Sequence, residues 1–397
     1  MSQESSQGGI EGRLFIRVRR SGKGRAAVDI HSTRPLSTPR IFTGKTPRQV
    51  LSTLPLLYSV CGTAQGCAAV EALEQASGES APPEILRARR AIVLAEIARE
   101  HLWRIELDWS AYLGTAPRKA TLTEAADFMD QFRKGLFPNG DMFEPGGGRL
   151  NETLDEALEQ VENLEDLLRR DIFSQSPEKW LALGTEEQLD YWARGSTLSA
   201  AGMLTRVTEE GLSGLGRAEV SGLPLLSVDA LEKRFRATDA EAFIEQPTWQ
   251  GNAMETTAYT RQNNHPLLLN LAKKYGNGLK PRLTARLIEL GKIPGRLRSV
   301  MHEGEFLTVG CGSSVPGTGI SQLEASRGRL IHRVELDEGV VKRYRILAPT
   351  EWNFHRHGVL VKGLSAIDAE SIEVLRRNTG LLVSAIDPCV GYSLEIS

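Results

Sequence analysis

Four cysteines, Cys61, Cys67, Cys311 and Cys389, are the side chains in this sequence with the most chemistry to offer. They are too few and too widely spaced to form a disulfide framework in 397 residues, so they stand as thiols able to serve as metal ligands or nucleophiles. Cys389 follows Asp387 and Pro388 only eight residues before the carboxy terminus, where a frayed chain would leave a thiol exposed. Pro388 is expected to hold Asp387 in an extended conformation, with its carboxylate orienting the final turn. Cys61 opens the small-residue stretch "CGTAQGCAAVEALEQA", which has helix-forming composition, and a helix starting there would favour the thiolate through the positive end of its dipole. Cys67 would then lie about 240° round that helix and roughly 9 Å further along, not on the face of Cys61. The seven histidines show no His-x-x-His spacing, and "GCGSSVPGTG" lacks the Gly-Lys-Ser/Thr ending of a phosphate loop.

Those thiols must be positioned by a large folded body. With 41% hydrophobic and 25% charged residues, the chain has the composition of a globular protein with room for a sizeable core. A net charge of −2, with no block of like charges, leaves no field for nucleic acid. Apolar runs such as "AIVLAEIA" and "HPLLLNLA" fall far short of the ~20 residues that span a bilayer. "MSQESSQGGIEG" has neither the basic start nor the apolar core of a signal peptide, so a cytoplasmic location is expected, with residues 1–12 disordered.

"GRLFIRVRRSGKGRAAVDIHSTRPL" alternates apolar and polar residues about a Ser-Gly-Lys-Gly turn, predicting a hairpin of Leu14 to Val18 with Ala26 to Ile30. Thr46 and Pro47 start a helix, a second runs from Cys61 to about Ala76, and the Gly- and Pro-free stretch from Glu84 to Tyr112 predicts one long helix packed in a bundle. Further helices fit "LTEAADFMDQFRKGLF", "LNETLDEALEQVENLEDLLRR", "HPLLLNLAKKYG" and "KPRLTARLIELGK", while residues 197–250 show no clear period. "GRLIHRVELDEGVVKRYRILAPTEW" predicts a second hairpin, and "DAESIEVLRRNTG" a final helix closed by Gly380. The expected architecture is one α+β domain over residues 1–397, a central helical bundle with β-hairpins near both chain ends.

Several segments in order resemble the large subunit of nickel–iron hydrogenases. "GIEGRLFI" resembles that family's "IEGH" strand, with Arg13 in place of histidine. "GKTPRQV" ahead of "SVCG" is similar to the segments that place the first cysteine pair, and "EIAREHLWRIELDW" to the helix that follows. "GTGISQLEASRGRLIHRVELDEGVVKRYRILAPTEWNF" follows the "EAPRGxLxH" hairpin and "PTxWN", and "DPC" resembles "DPCxxC". The resemblance implies a large-subunit-like fold, with Cys61 and Cys389 as metal ligands and Arg327 and Asp387 beside the bound group. It also matches Glu11 to a glutamate associated with proton transfer.

The departures bear on function. Family enzymes use two CxxC pairs, the second cysteine of each bridging nickel and iron; those positions hold Ala64 and Tyr392, and neither can replace a bridging thiolate. Cys67 would substitute only if its segment were not helical. Ser326 replaces a proline, Glu395 falls where the family has a terminal histidine, and with Ile396 and Ser397 after it no tail for a protease to remove is expected. This combination resembles the HupK/HoxV type of hydrogenase accessory protein. That type implies a non-catalytic scaffold that takes iron carrying cyanide and carbonyl ligands, without nickel, from maturation proteins and passes it to the hydrogenase large subunit. Two alternatives stand beside it: a hydrogen-oxidising enzyme with a rearranged site, and a metal-free protein that docks maturation factors.

Overall fold

Alternation along "RLFIRVR" buries Leu14, Ile16 and Val18 on one face of the first strand, β1 (Arg13–Arg19). In the computed structural model, which describes residues 12–20, 26–302, 311–313 and 315–397, β1 pairs antiparallel with β2 (Ala27–Ser32), Ile16 opposite Ile30. The predicted hairpin is present; its Ser-Gly-Lys-Gly turn, like residues 1–11 with Glu11, lies outside the described residues. The other side of β1 is taken by the last strand, β6 (Gly391–Ile396), which runs parallel to it with Leu14 beside Tyr392 and Val18 beside Ile396. The end of the chain is thus fixed in a sheet.

The helical middle follows from local signals. Thr46 and Gln49 form a reciprocal capping box at the start of α1 (Pro47–Leu57). The next helix, α2 (Gly62–Ser77), ends at Gly78 in the left-handed region, φ 71°. Its small residues let it be buried almost all round: Gly319 packs so closely on the Ala72 carbonyl that no Cβ would fit. The third helix, α3 (Pro83–Arg104), continues through a π-helical turn (Ile105–Trp109) into Ser110–Leu113, so the predicted long helix is one run with a bulge. It packs against the helices Lys119–Leu136 and Leu279–His302, the latter continuing through Pro294. No helix among the described residues is long and apolar enough to cross a membrane.

Three elements differ from expectation. Residues 197–250 contain the helices Ser199–Glu209, Val228–Arg236 and Ala240–Glu245; the first is faint in sequence because much of its buried face is small, including Ala200 and Ala201. The second hairpin is the outer part of a three-stranded antiparallel sheet, β3 (Thr318–Ala325), β4 (Gly328–Asp337) and β5 (Val340–Leu347). The final helix spans Ile372–Ile386 and does not stop at Gly380, because Leu382, Val383 and Ile386 are needed in the core beneath β1 and β6 and Leu381 in the helical core. Asp387 caps it at φ 67° and ψ 88°, a left-handed conformation and not the extended one that Pro388 implies, since the Asp387 N–H closes the helix on the Val383 carbonyl.

The β3–β4 turn matters most for function. Ala325 pairs with Gly328, leaving Ser326 and Arg327 as the two turn residues. Gly328 adopts φ 131°, and a Cβ there would overlap the Thr256 carbonyl oxygen. Gly328→Ala is therefore expected to cost on the order of 2–4 kcal/mol. Guanidinium denaturation of the purified variant checks this; an unchanged midpoint would show that the turn tolerates a side chain.

Candidate metal site at Cys61 and Cys389

Cys61 is the residue from which α2 departs, at φ −130° and ψ 36°, so the predicted helix N-terminus is in place behind its thiol. No side chain of its own segment caps that end; Glu96 of α3 accepts hydrogen bonds from the amides of Thr63, at 2.8 Å, and Ala64, at 3.0 Å. A buried polar chain approaches the sulfur from the other side. Tyr344 hydroxyl meets His332 Nδ1 at 2.8 Å, His332 Nε2 meets Gln65 Oε1 at 2.9 Å, and Gln65 Nε2 donates to Cys61 Sγ at 3.7 Å. Burial lowers His332 to about 3, so the ring is neutral, with its Nε2–H donating to Gln65.

Cys389 comes from the other end of the chain. Its amide donates to Thr350 Oγ1 at 3.3 Å, and its sulfur lies 2.8 Å from the same hydroxyl, so the "PT" of "PTEWN" seats this cysteine. The two thiols come close enough to perturb one another. Desolvation pushes the Cys61 thiol well up, Cys389 and Glu96 push the same way, and Arg327 and Gln65 act against them. The helix terminus alone does not outweigh burial.

Arg327 reaches this pair from the β3–β4 turn and is 3% exposed, which excludes a surface ion pair. Its Nη2 donates to Glu100 at 3.0 Å, its Nε to Asp387 Oδ1 at 3.2 Å, and its Nη1 to Ser326 Oγ at 3.2 Å. Asn353 clamps the same turn, donating to the Arg327 and Thr256 carbonyls and accepting from the Thr256 amide. Asp387 is engaged by three guanidinium groups: Arg104 at 2.9 Å, Arg327, and Arg286 at 3.3 Å. Burial acts to raise its carboxyl, yet Arg327, Arg104 and Arg286 together hold it below the usual aspartate range. Asp387 is thereby a positioning group whose oxygens face arginines.

A second guanidinium was not anticipated. Arg34, just after β2, pairs with Glu351 at 2.7 Å and interacts electrostatically with Cys389, Tyr58 and Cys61. Its only sequence signal is Glu351 in the variable position of "PTxWN". Cys67 does not join the site: it is fully buried on α2, its sulfur toward the Arg89 carbonyl at 3.6 Å. Cys311 sits elsewhere, donating to Glu71 at 3.2 Å. Ala64 is fully buried, and Tyr392 stands on β6 where burial, with Asp108 nearby, raises its phenol. Among the described residues no three His, Cys, Asp or Glu side chains converge to hold a metal ion. The arrangement can therefore offer two thiolates and two guanidinium donors to a metal that brings further ligands of its own.

This architecture is the large-subunit fold of nickel–iron hydrogenases. The nickel–iron–selenium hydrogenase of Desulfovibrio vulgaris Hildenborough superposes with a TM-score of 0.62 over 93% of this chain and 94% of that one, at 16% identity. An NAD+-reducing nickel–iron hydrogenase gives 0.62 at 14% identity, over 93% of each chain. Among curated proteins, the hydrogenase expression/formation protein HoxV of Cupriavidus necator is 31% identical over 93% of this chain and 92% of its own length. HupK of Bradyrhizobium diazoefficiens is 30% identical over the same shares. No family profile matches. The chain belongs to the HoxV/HupK family of hydrogenase expression/formation proteins.

The Asp387 cluster is testable directly. Asp387→Asn removes the charge that three buried or half-buried arginines share, an expected loss of ~3–5 kcal/mol. Because the folded carboxyl is depressed, its stabilisation is present at neutral pH and fades as pH falls below about 4 toward the folded value. Urea denaturation across that range should show an acid-dependent component in the wild type that is missing in Asp387→Asn; parallel profiles would contradict the assignment.

Proposed function

We propose that this chain is a non-catalytic scaffold of nickel–iron hydrogenase maturation, which transiently carries iron bearing cyanide and carbonyl ligands on Cys61 and Cys389. In this reading it receives the iron from maturation proteins in the cytoplasm and passes it to the hydrogenase large subunit. The observation that carries the proposal is the convergence of two thiols and two guanidinium groups where Ala64 and Tyr392 deny a second pair of thiolates. The relatives are expression and formation proteins by name, which agrees with a role in assembly.

The chemistry of the site supports transient holding. Soft thiolate sulfur suits iron with strong-field diatomic ligands, and a guanidinium N–H is a good donor to a cyanide nitrogen. Arg327 is fixed for that task by Asp387 and Glu100, and Arg34 by Glu351. Uptake requires the buried Cys61 to lose its proton, and loss of the cation lets the proton return. Two protein ligands therefore hold the fragment while leaving it removable.

Infrared spectroscopy of protein purified from cells with the maturation machinery tests this. Cyanide and carbonyl stretching bands without nickel are expected, and both Cys389→Ala and Cys61→Ala should lose them. Stoichiometric nickel with hydrogen uptake would identify an enzyme, and absent bands in the wild type would favour the metal-free docking protein.

A further inference from the structure

Gln65 lies one turn of α2 beyond Cys61, and helical side chains lean toward the N-terminus, so its amide returns over the thiol and donates to Sγ at 3.7 Å. A primary amide offers N–H at one end and oxygen at the other; turned over, it would face its carbonyl to the sulfur instead. The choice is made in the sheet against which α2 packs. His332 on β4 and Tyr344 on β5 are diagonal neighbours, because His332 pairs with Ile346 and Val334 with Tyr344. All three polar side chains are buried. The Tyr344 hydroxyl carries one proton, and His332 Nδ1, at 2.8 Å, is its sole hydrogen-bond partner among the described residues. A ring protonated on Nδ1 would leave the phenolic O–H as a buried donor with nothing to bond. With the phenol donating, the neutral ring holds its proton on Nε2, which faces Gln65 Oε1 at 2.9 Å. The amide N–H is then left for Cys61.

We infer that Tyr344 and His332 are positioning residues for the metal site: together they turn the Gln65 amide so that it presents an N–H, not a carbonyl oxygen, to Cys61 Sγ. The identity of the metal rests on the iron-carrier reading; the orientation of the amide does not. A metal-bound thiolate keeps lone pairs that accept hydrogen bonds, whereas an empty thiol has an S–H that a carbonyl oxygen would hold in place. A donor fixed beforehand therefore favours the loaded sulfur over the empty one. Gln65 is the one hydrogen-bond donor to Cys61 Sγ among the described residues, so no other side chain supplies this bond if the amide turns over. Partners that hydrogen-bond to metal ligands typically change metal affinity by about 10–100-fold.

Nitrogen-15 NMR of the full, metal-free chain labelled at histidine reads the ring directly. The wild type should show His332 protonated on Nε2 alone, its signal assigned by its loss in His332→Gln, and Tyr344→Phe should admit the Nδ1–H form. Gln65→Met keeps the length of the side chain and removes the donor. With cadmium(II) as the metal probe, it should bind about tenfold more weakly, read from the part of the cadmium–thiolate ultraviolet absorption that Cys61→Ala and Cys389→Ala abolish. A side chain that merely packs would leave the ring proton where it is in Tyr344→Phe. The wild-type ring is read without any change to the site, so it decides even where Gln65→Met does not fold. An Nδ1–H ring in the wild type, an unchanged ring in Tyr344→Phe, or undiminished cadmium affinity in Gln65→Met overturns the inference. Failure of the carrier reading looks different: the purified protein would lack infrared bands while the NMR and cadmium results stood.

Discussion

Everything at the candidate site depends on one buried carboxylate, Asp387. It joins the end of the final helix to Arg104 on α3, Arg286 on the Leu279–His302 helix and Arg327 in the β3–β4 turn. A charge in that position is costly to bury, and it persists because three guanidinium groups share it. Its left-handed backbone turns the chain out of the helix, through Pro388 and Cys389, into the strand that lies beside β1. The carboxylate therefore fixes both the direction of the chain at Cys389 and the reach of Arg327.

The remaining signature residues serve the same convergence. Thr350 seats Cys389, Asn353 clamps the turn that carries Arg327, and Gly328 lets that turn lie against the Thr256 carbonyl. Glu96 and the Tyr344–His332–Gln65 chain fix the start of α2 and hence Cys61. Relative to the family motifs this chain resembles, the departures fall at the bridging positions, Ala64 and Tyr392, and also at Arg13, Ser326 and Glu395. With Ala64 and Tyr392 at the positions for bridging thiolates, the site as we propose it holds a single metal fragment on two thiolates.

Much of this was legible from residues alone. Alternation disclosed β1 and β2, the capping box disclosed α1, and the absence of Gly and Pro disclosed the long helical run. Cys61, Cys389 and Arg327 were singled out by their resemblance to short family motifs, and the fold brings the three within electrostatic reach of one another. Long-range pairing was not legible: nothing local in "GYSLEI" says that it lies parallel to β1, and nothing in "HSTRPL" says that Arg34 meets Glu351 across the fold. Gly380 misled because a glycine in a helix is tolerated when the following turn is required in the core, and Pro388 misled because tertiary charge pairing decided the backbone of Asp387.

The central claim is that two thiols from opposite ends of the chain share one iron. Iron K-edge X-ray absorption on protein purified with its cargo measures that most directly. Two sulfur neighbours alongside short iron–carbon distances are the predicted result, with the iron signal itself lost in Cys61→Ala. Four sulfur neighbours, or none, would contradict the account.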